Sequence, residues 1–243
     1  MDPTYLASFG SLEDRHWWFR ARREIVADQL RLHVHGDIAD LLDVGAGTGG
    51  ALCHLREHFP DTRCRGVEPD TGARETCLQR HLDVIAGTAD PLPFESASQD
   101  VVTALDVLEH LDDDISAALE IARVLRPGGI ALVTVPAFAW LWGPHDTLNA
   151  HQRRYRRFEI EQTVTAAGLE VERASYFNTL LFPLAVVQRM AEKLIGKRGA
   201  TEKVPPGPLN AAFYHVFRLE MALLRHMRLP WGVSIIVVAR KPR

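Results

Sequence analysis

Two groups of residues in this chain have the types and spacing that chemistry requires. The first is Asp43, Gly45, Gly47 and Gly49, with Gly50 beside the last. It follows the apolar run Leu41-Leu42 and precedes Leu52, Leu55 and Phe59 at helical spacing. That order reads as strand, tight turn and helix. Glycine removes the Cβ that would keep a ligand from the backbone, and amides at a helix start favour an anionic or strongly polar group. The turn is therefore of the nucleotide-cofactor type. The second group is His145, Asp146 and His151, followed by Arg153-Arg154-Tyr155-Arg156-Arg157. Either histidine can serve as a general base, or both can order a loop by hydrogen bonding. The same three residues can be read as metal ligands, but their spacing fits no familiar site, so no metal is expected. The arginine run reads as a solvated helix start, or as a grip on an anionic substrate group or carrier.

Strands must carry these groups. Arg65 to Asp70 reads as a second strand, with Glu68 at its carboxyl end roughly 20 residues past the glycines, the distance of an acid that accepts from ribose hydroxyls. Val84 to Asp90 reads as a third strand. Asp90 is placed to accept from the exocyclic amine of adenine, with Leu92 and Phe94 as an apolar wall. Asp100 to Leu105 is a fourth strand, with Asp106-Val107-Leu108-Glu109-His110 after it. Ile130 to Pro136, Leu169 to Tyr176 and Val233 to Ala239 are the fifth, sixth and seventh. Asp70 or Thr71, and the acids Asp112 to Asp114, suit helix starts. Regular alternation of strand and helix means a doubly wound parallel sheet. Gly45, Gly47 and Gly50 also fit the Gly-x-Gly-x-x-Gly dinucleotide fingerprint, so the turn alone leaves NAD open.

The later segments separate the two cofactors. From about His16 to Tyr176 the chain resembles the class I S-adenosylmethionine-dependent methyltransferases. Asp43-x-Gly45-x-Gly47-x-Gly49 looks like the family's glycine motif, Glu68 like its ribose acid, and Asp90-Pro91-Leu92-Pro93-Phe94 like its adenine segment. Leu108-Glu109-His110 resembles its post-strand motif, and Leu125-Arg126-Pro127-Gly128-Gly129 the turn before its fifth strand. The dinucleotide fingerprint implies none of the last three. His16-Trp17-Trp18-Phe19 is similar to a subset related to quinone- and natural-product-modifying enzymes, which points to secondary metabolism.

The resemblance implies an α/β fold with a doubly wound, seven-stranded, mostly parallel Rossmann-like sheet. It implies S-adenosylmethionine as cofactor, bound by Trp18, Asp43, Gly45, Ala46, Gly47, Gly49, Glu68, Pro69, Ala89, Asp90, Asp106, Val107 and His110. A small-molecule acceptor is expected, a hydroxyl of a bulky or ring-bearing metabolite, with His145 and His151 as candidate bases. A non-catalytic adenosyl-binding protein is the alternative.

The chain departs from the family between the sixth and seventh strands. Residues 179–230 hold two amphipathic stretches, one with Leu181, Leu184, Val187, Met190 and Leu194, the other with Phe213, Val216, Phe217, Leu223, Leu224 and Met227. This helical insertion must bury its apolar face against the acceptor cleft, a second copy in a homodimer, or a membrane surface. The N-terminal residues 1–38 read as a helical lid, with Trp17 and Trp18 as core anchors or as a cover over the cofactor, and Arg20 or Arg23 reaching a carboxylate.

One domain over residues 1–243 accommodates all of this: 47% of residues are hydrophobic and 24% charged. A net charge of -3 argues against a general nucleic-acid binder. Cys53, Cys64 and Cys77 have no metal-ligand spacing and read as free thiols. The opening residues lack a secretory pattern, and the run Ala174 to Gln188 is too short to span a bilayer. A cytoplasmic location is the expectation.

Overall fold

The computed structural model describes residue 10 and residues 12–195 and 204–243. Seven strands form one sheet in the order β3-β2-β1-β4-β5-β7-β6. They are β1 (Asp40–Val44), β2 (Arg63–Glu68), β3 (Asp83–Ala86), β4 (Gln99–Leu105), β5 (Leu125–Pro136), β6 (Glu170–Phe177) and β7 (Ser234–Arg240). The first five pair in parallel, while β7 runs antiparallel to both β5 and β6. This is the mostly parallel, doubly wound sheet expected from the alternation.

Helices cover both faces. They are α1 (Trp17–His33), α2 (Gly50–His58), α3 (Thr71–Gln79), α4 (Asp114–Val124), α5 (Pro144–Leu148), α6 (Arg157–Ala166), α7 (Phe182–Ile195) and α8 (Gly207–His226). β1 is buried along its whole length, because it lies at the centre with a helical layer on each side. Asp70 caps α3 by accepting from the amide of Ala73 at 2.9 Å, and Asp113 caps α4 through the amide of Ser116 at 2.9 Å.

Two boundaries differ from the sequence reading. The third strand stops at Ala86, and Gly87 to Asp90 form a loop. β3 is an edge strand that pairs only with β2, so nothing on its other side extends it. The arginine run is not one solvated helix start. Arg154 is buried before α6 begins, its Nε 2.8 Å from Asp146 Oδ1, while Arg156 and Arg157 stand at the helix N-terminus.

The insertion forms α7 and α8. α8 lies along α1: Trp17 meets Phe213 and Phe217 edge-on at 5.5 and 5.8 Å, Glu24 accepts from the hydroxyl of Tyr214, and Asp28 pairs with Arg225. α7 contains no buried residue, and Leu184, Val187, Met190 and Leu194 are exposed on it. Among the described residues, no helix is long and apolar enough to cross a membrane.

Candidate functional site

The carboxyl ends of β1, β2 and β4 open into one cavity of about 820 Å³. Gly45, Gly47 and Gly49 all have positive φ, which glycine adopts without strain. Their roles differ. A Cβ on Gly45 would stand 2.6 Å from Val107 Cγ2, so this glycine lets the loop after β4 close on the turn. A Cβ on Gly47 would meet nothing within 4 Å, since Gly47 faces the open cavity. Gly49 does not line it; a Cβ there would meet Leu82 Cδ1 at 2.3 Å. Its place in the expected cofactor set is corrected accordingly: it seats the start of α2 against the β3 side.

Glu68 lies at the end of β2 and accepts from the amides of Gly47 and Asp70, each at 2.9 Å. Each carboxylate oxygen thus spends one lone pair on the backbone and keeps another for a ligand hydroxyl. Asp43 is buried beneath the turn and accepts from the hydroxyl of Thr103 at 2.6 Å. Burial pushes its carboxyl up to about 7, against the opposing Thr103 hydrogen bond and the Arg22 charge.

Trp18, Ala46, Pro69, Ala89, Asp106, Val107 and His110 all line the cavity, as do His145 and His151. Asp90 does not. It is exposed and accepts from the hydroxyl of Ser116 at 2.6 Å, and Leu92 and Phe94 are likewise outside the lining. The geometry instead puts Thr88 and Ala89 at that wall, since the loop turns away after Ala89.

The sequence reading missed Arg22. It lines the cavity, its guanidinium lies 4.5 Å over the Trp18 ring, and it pairs with Asp106. Trp18 and Arg22 are four residues apart and share a helix face, a spacing visible in the sequence. Arg20, expected to reach a ligand carboxylate, instead stacks on Tyr214 at 4.5 Å. Arg23 lines the cavity but is tied to Glu13 at 2.9 Å. Glu13 also accepts from the Thr48 hydroxyl at 2.6 Å, which fastens the N-terminal segment to the glycine turn. A Cβ on Gly50 would lie 2.1 Å from Arg23 and 2.4 Å from Glu13, so this closure needs glycine.

The same cavity is lined by Glu109, His110, His145 and His151. His151 Nδ1 is 2.9 Å from Asp146 Oδ1. Burial alone would raise the carboxyl of Asp146, but the His151 hydrogen bond and the Arg154 charge hold it well below the usual carboxylate range. Asp146 therefore orients the His151 ring, while the His145 ring lies against the side-chain amide of Asn149. Burial, and after it the Asp106 charge, pushes the Glu109 carboxyl well up, while burial and the neighbouring His151 draw His110 down. Leu181, Leu184, Ala185, Gln188 and Phe213, from the segment leading into α7, α7 itself and α8, border the same cavity. The insertion thus borders this cavity through those residues, while Val187, Met190 and Leu194 of α7 stay exposed.

A family described as methyltransferase domain matches residues 42–133, the stretch from β1 to β5. A Mycolicibacterium smegmatis protein described as an S-adenosylmethionine-dependent methyltransferase is 34% identical over 66% of this chain and 62% of its own length. The phthiotriol/phenolphthiotriol dimycocerosates methyltransferase 1 of Mycobacterium ulcerans is 29% identical over 68% of this chain and 63% of its own. The chain thus spans less than two thirds of the length of these relatives. A solved complex between the Haloferax volcanii Trm112 methyltransferase activator and a chain described as a methyltransferase is similar in fold. The TM-score is 0.67 with 19% identity, over 99% of this chain and 97% of that one.

Proposed function

We propose that the chain is a class I S-adenosylmethionine-dependent methyltransferase and that it methylates a hydroxyl of a bulky, apolar or ring-bearing small molecule. One observation carries the reading. A single cavity is lined by Gly47 and Glu68, by Glu109, His110 and His151, and by apolar residues of the insertion. At about 820 Å³ it has room for a cofactor and an acceptor side by side. The name of the Mycobacterium ulcerans relative, with its triol and phenol groups, supports a hydroxyl on a large apolar molecule.

The residues fit S-adenosylmethionine: Glu68 has lone pairs left for two ribose hydroxyls, and Gly47 leaves open space where a side chain would project. When bound, S-adenosylmethionine supplies a methyl already activated by its sulfonium. The protein's part is to hold the acceptor oxygen in line with it, and good alignment is worth about 7–11 kcal/mol. Arg22 and Trp18 close the cavity from α1, with Asp106 fixing the guanidinium. The acceptor loses its proton at the corner that contains His151, whose ring orientation is set by Asp146. His145 lies against Asn149, with its ring centroid 5.8 Å from that of His151, and shapes the wall beside it.

The test is turnover. The protein is incubated with S-adenosylmethionine and a panel of phenols, long-chain alcohols, amines and activated carbon acceptors, and products are read by mass. A gain of one methyl on a hydroxyl, with formation of S-adenosylhomocysteine, is expected. Methylation confined to amines or carbon would refute the hydroxyl assignment, and cofactor binding without turnover on any acceptor would favour the adenosyl-binding alternative.

A further inference from the structure

The cavity contains a group that methyl transfer does not explain. Glu109 is completely buried, and neither carboxylate oxygen has a hydrogen-bond partner among the described residues. A buried carboxylate without a partner is costly, and such a group calls for a ligand that satisfies it. Two imidazoles stand next to it. One oxygen of Glu109, one ring nitrogen of His110 and one of His151 lie within 4.8 Å of one another. His151 Nε2 is 4.0 Å from Glu109 Oε1, and the rings of His110 and His151 meet edge-on at 4.8 Å.

We propose that Glu109, His110 and His151 form a binding site for a divalent transition-metal ion, zinc being the best match. Two imidazoles and one carboxylate are a ligand set that suits zinc, with a fourth position left open. Metal–ligand bonds of about 2.0–2.1 Å put tetrahedral ligand atoms about 3.4 Å apart, so the trio needs to close by about 1 Å.

The surroundings provide an independent argument. A ligating histidine works best when its other nitrogen donates to a carboxylate or a carbonyl, which fixes the tautomer and the ring plane. His151 has this arrangement, with Nδ1 on Asp146 and Nε2 directed to Glu109. Asp146 is itself held by the amide of Gly143 at 2.8 Å and by Arg154. All three proposed ligands border the cavity, so the open position faces the acceptor. An ion there would polarise an acceptor hydroxyl and ease loss of its proton to water, with His151 acting as ligand and not as free base.

Binding can be tested without any acceptor. The full chain is stripped with a chelator and titrated with zinc by calorimetry, and then with cobalt(II) while its visible absorption is followed. One ion per chain is expected, with the intense cobalt bands of a four-coordinate site. Glu109→Gln and His151→Gln should each weaken binding at least 100-fold. Asp146→Asn, which disturbs only the support of His151, should weaken it 10- to 100-fold. His54→Ala, which removes half of the tilted His54–His58 pair on α2 outside the cavity lining, should leave it unchanged. If either ligand variant fails to fold, X-ray absorption of the zinc-loaded natural chain decides, since it must show two imidazoles and at least one oxygen. Absence of stoichiometric binding, equal affinity in the ligand variants, or fewer than two imidazoles on the ion would overturn the site. None of these readouts depends on methyl transfer, so they stand or fall apart from the proposed activity.

Discussion

Glu220 on α8 accepts a hydrogen bond from the amide of Leu180 at 2.7 Å, tying the second helix of the insertion to the turn that launches the first. Glu220 is completely buried, and burial pushes its carboxyl up. The two helices over the cleft are therefore joined at one hinge point. Replacing Glu220 by Ala leaves a buried amide without its partner, at a cost of about 1–3 kcal/mol. Amide exchange in residues 179–195 should quicken and the acceptor's KM should rise, with cofactor affinity unchanged. Unaltered exchange in that segment would show that the tie does not hold α7.

Glu68→Ala should weaken binding of S-adenosylhomocysteine by about 1.5–3 kcal/mol, the value of hydrogen bonds to a charged group. Calorimetry checks it. The same variant also frees the amides of Gly47 and Asp70, so a thermal melt of the ligand-free protein must accompany the measurement.

Asp43 gives a pH signature. Its carboxyl titrates near 7 in the fold and at 3.8 when unperturbed. The folded chain therefore holds a proton there that the unfolded chain has released. The stability due to this proton is fully present below about pH 4 and is lost as pH rises to about 7. Each tenfold change in proton affinity is about 1.4 kcal/mol, so the whole effect is on the order of 4 kcal/mol. Asp43→Asn removes it. The variant's unfolding free energy, measured against the parent's by denaturant titration from pH 5 to 8, should gain steadily on it. A constant difference across that range would mean that Asp43 is ionised throughout.

Phe213 and Phe217 have separable roles. Phe217 is completely buried between Phe177, stacked at 5.9 Å, and Trp17. Phe217→Ala should cost about 3–5 kcal/mol of stability. Phe213 borders the cavity and is only half-buried. Phe213→Ala should leave the melting temperature within a few degrees and raise the acceptor's KM. If instead Phe213→Ala changes only the sedimentation mass, that residue belongs to an interface.

Trp18 reports on the cofactor. It borders the cavity with Arg22 stacked on its ring, so S-adenosylhomocysteine should change its fluorescence, and Trp18→Phe should abolish most of that change. A full signal in Trp18→Phe would transfer the effect to Trp17.

The sheet and the glycine turn were legible because each strand is a short apolar run ending in an acid or a turn residue, a local pattern. Glu68 could be found by its distance from Gly45 and Gly47 alone. Asp90 misled for the same reason: its position after an apolar run suggested a strand end, but β3 stops four residues earlier and its carboxylate turns to Ser116. Arg22, Glu109 and the contact of Asp146 with His151 depend on packing between segments far apart in sequence. Glu109 follows Leu108 in what reads as a simple post-strand motif, and only burial of that turn reveals its unsatisfied carboxylate.

The position of β7 has a consequence for biosynthesis. The last strand of the described chain lies between β5 and β6, so it supplies neighbours to two strands made long before it. While the ribosome is still translating the two insertion helices, β5 and β6 each present an unpaired edge of apolar residues, the kind of edge that recruits other chains. The completed sheet can form only after Ser234–Arg240 clears the exit tunnel. A pause in translation over residues 204–233 would therefore prolong the most aggregation-prone stage of this protein's synthesis, and chaperone demand should peak there.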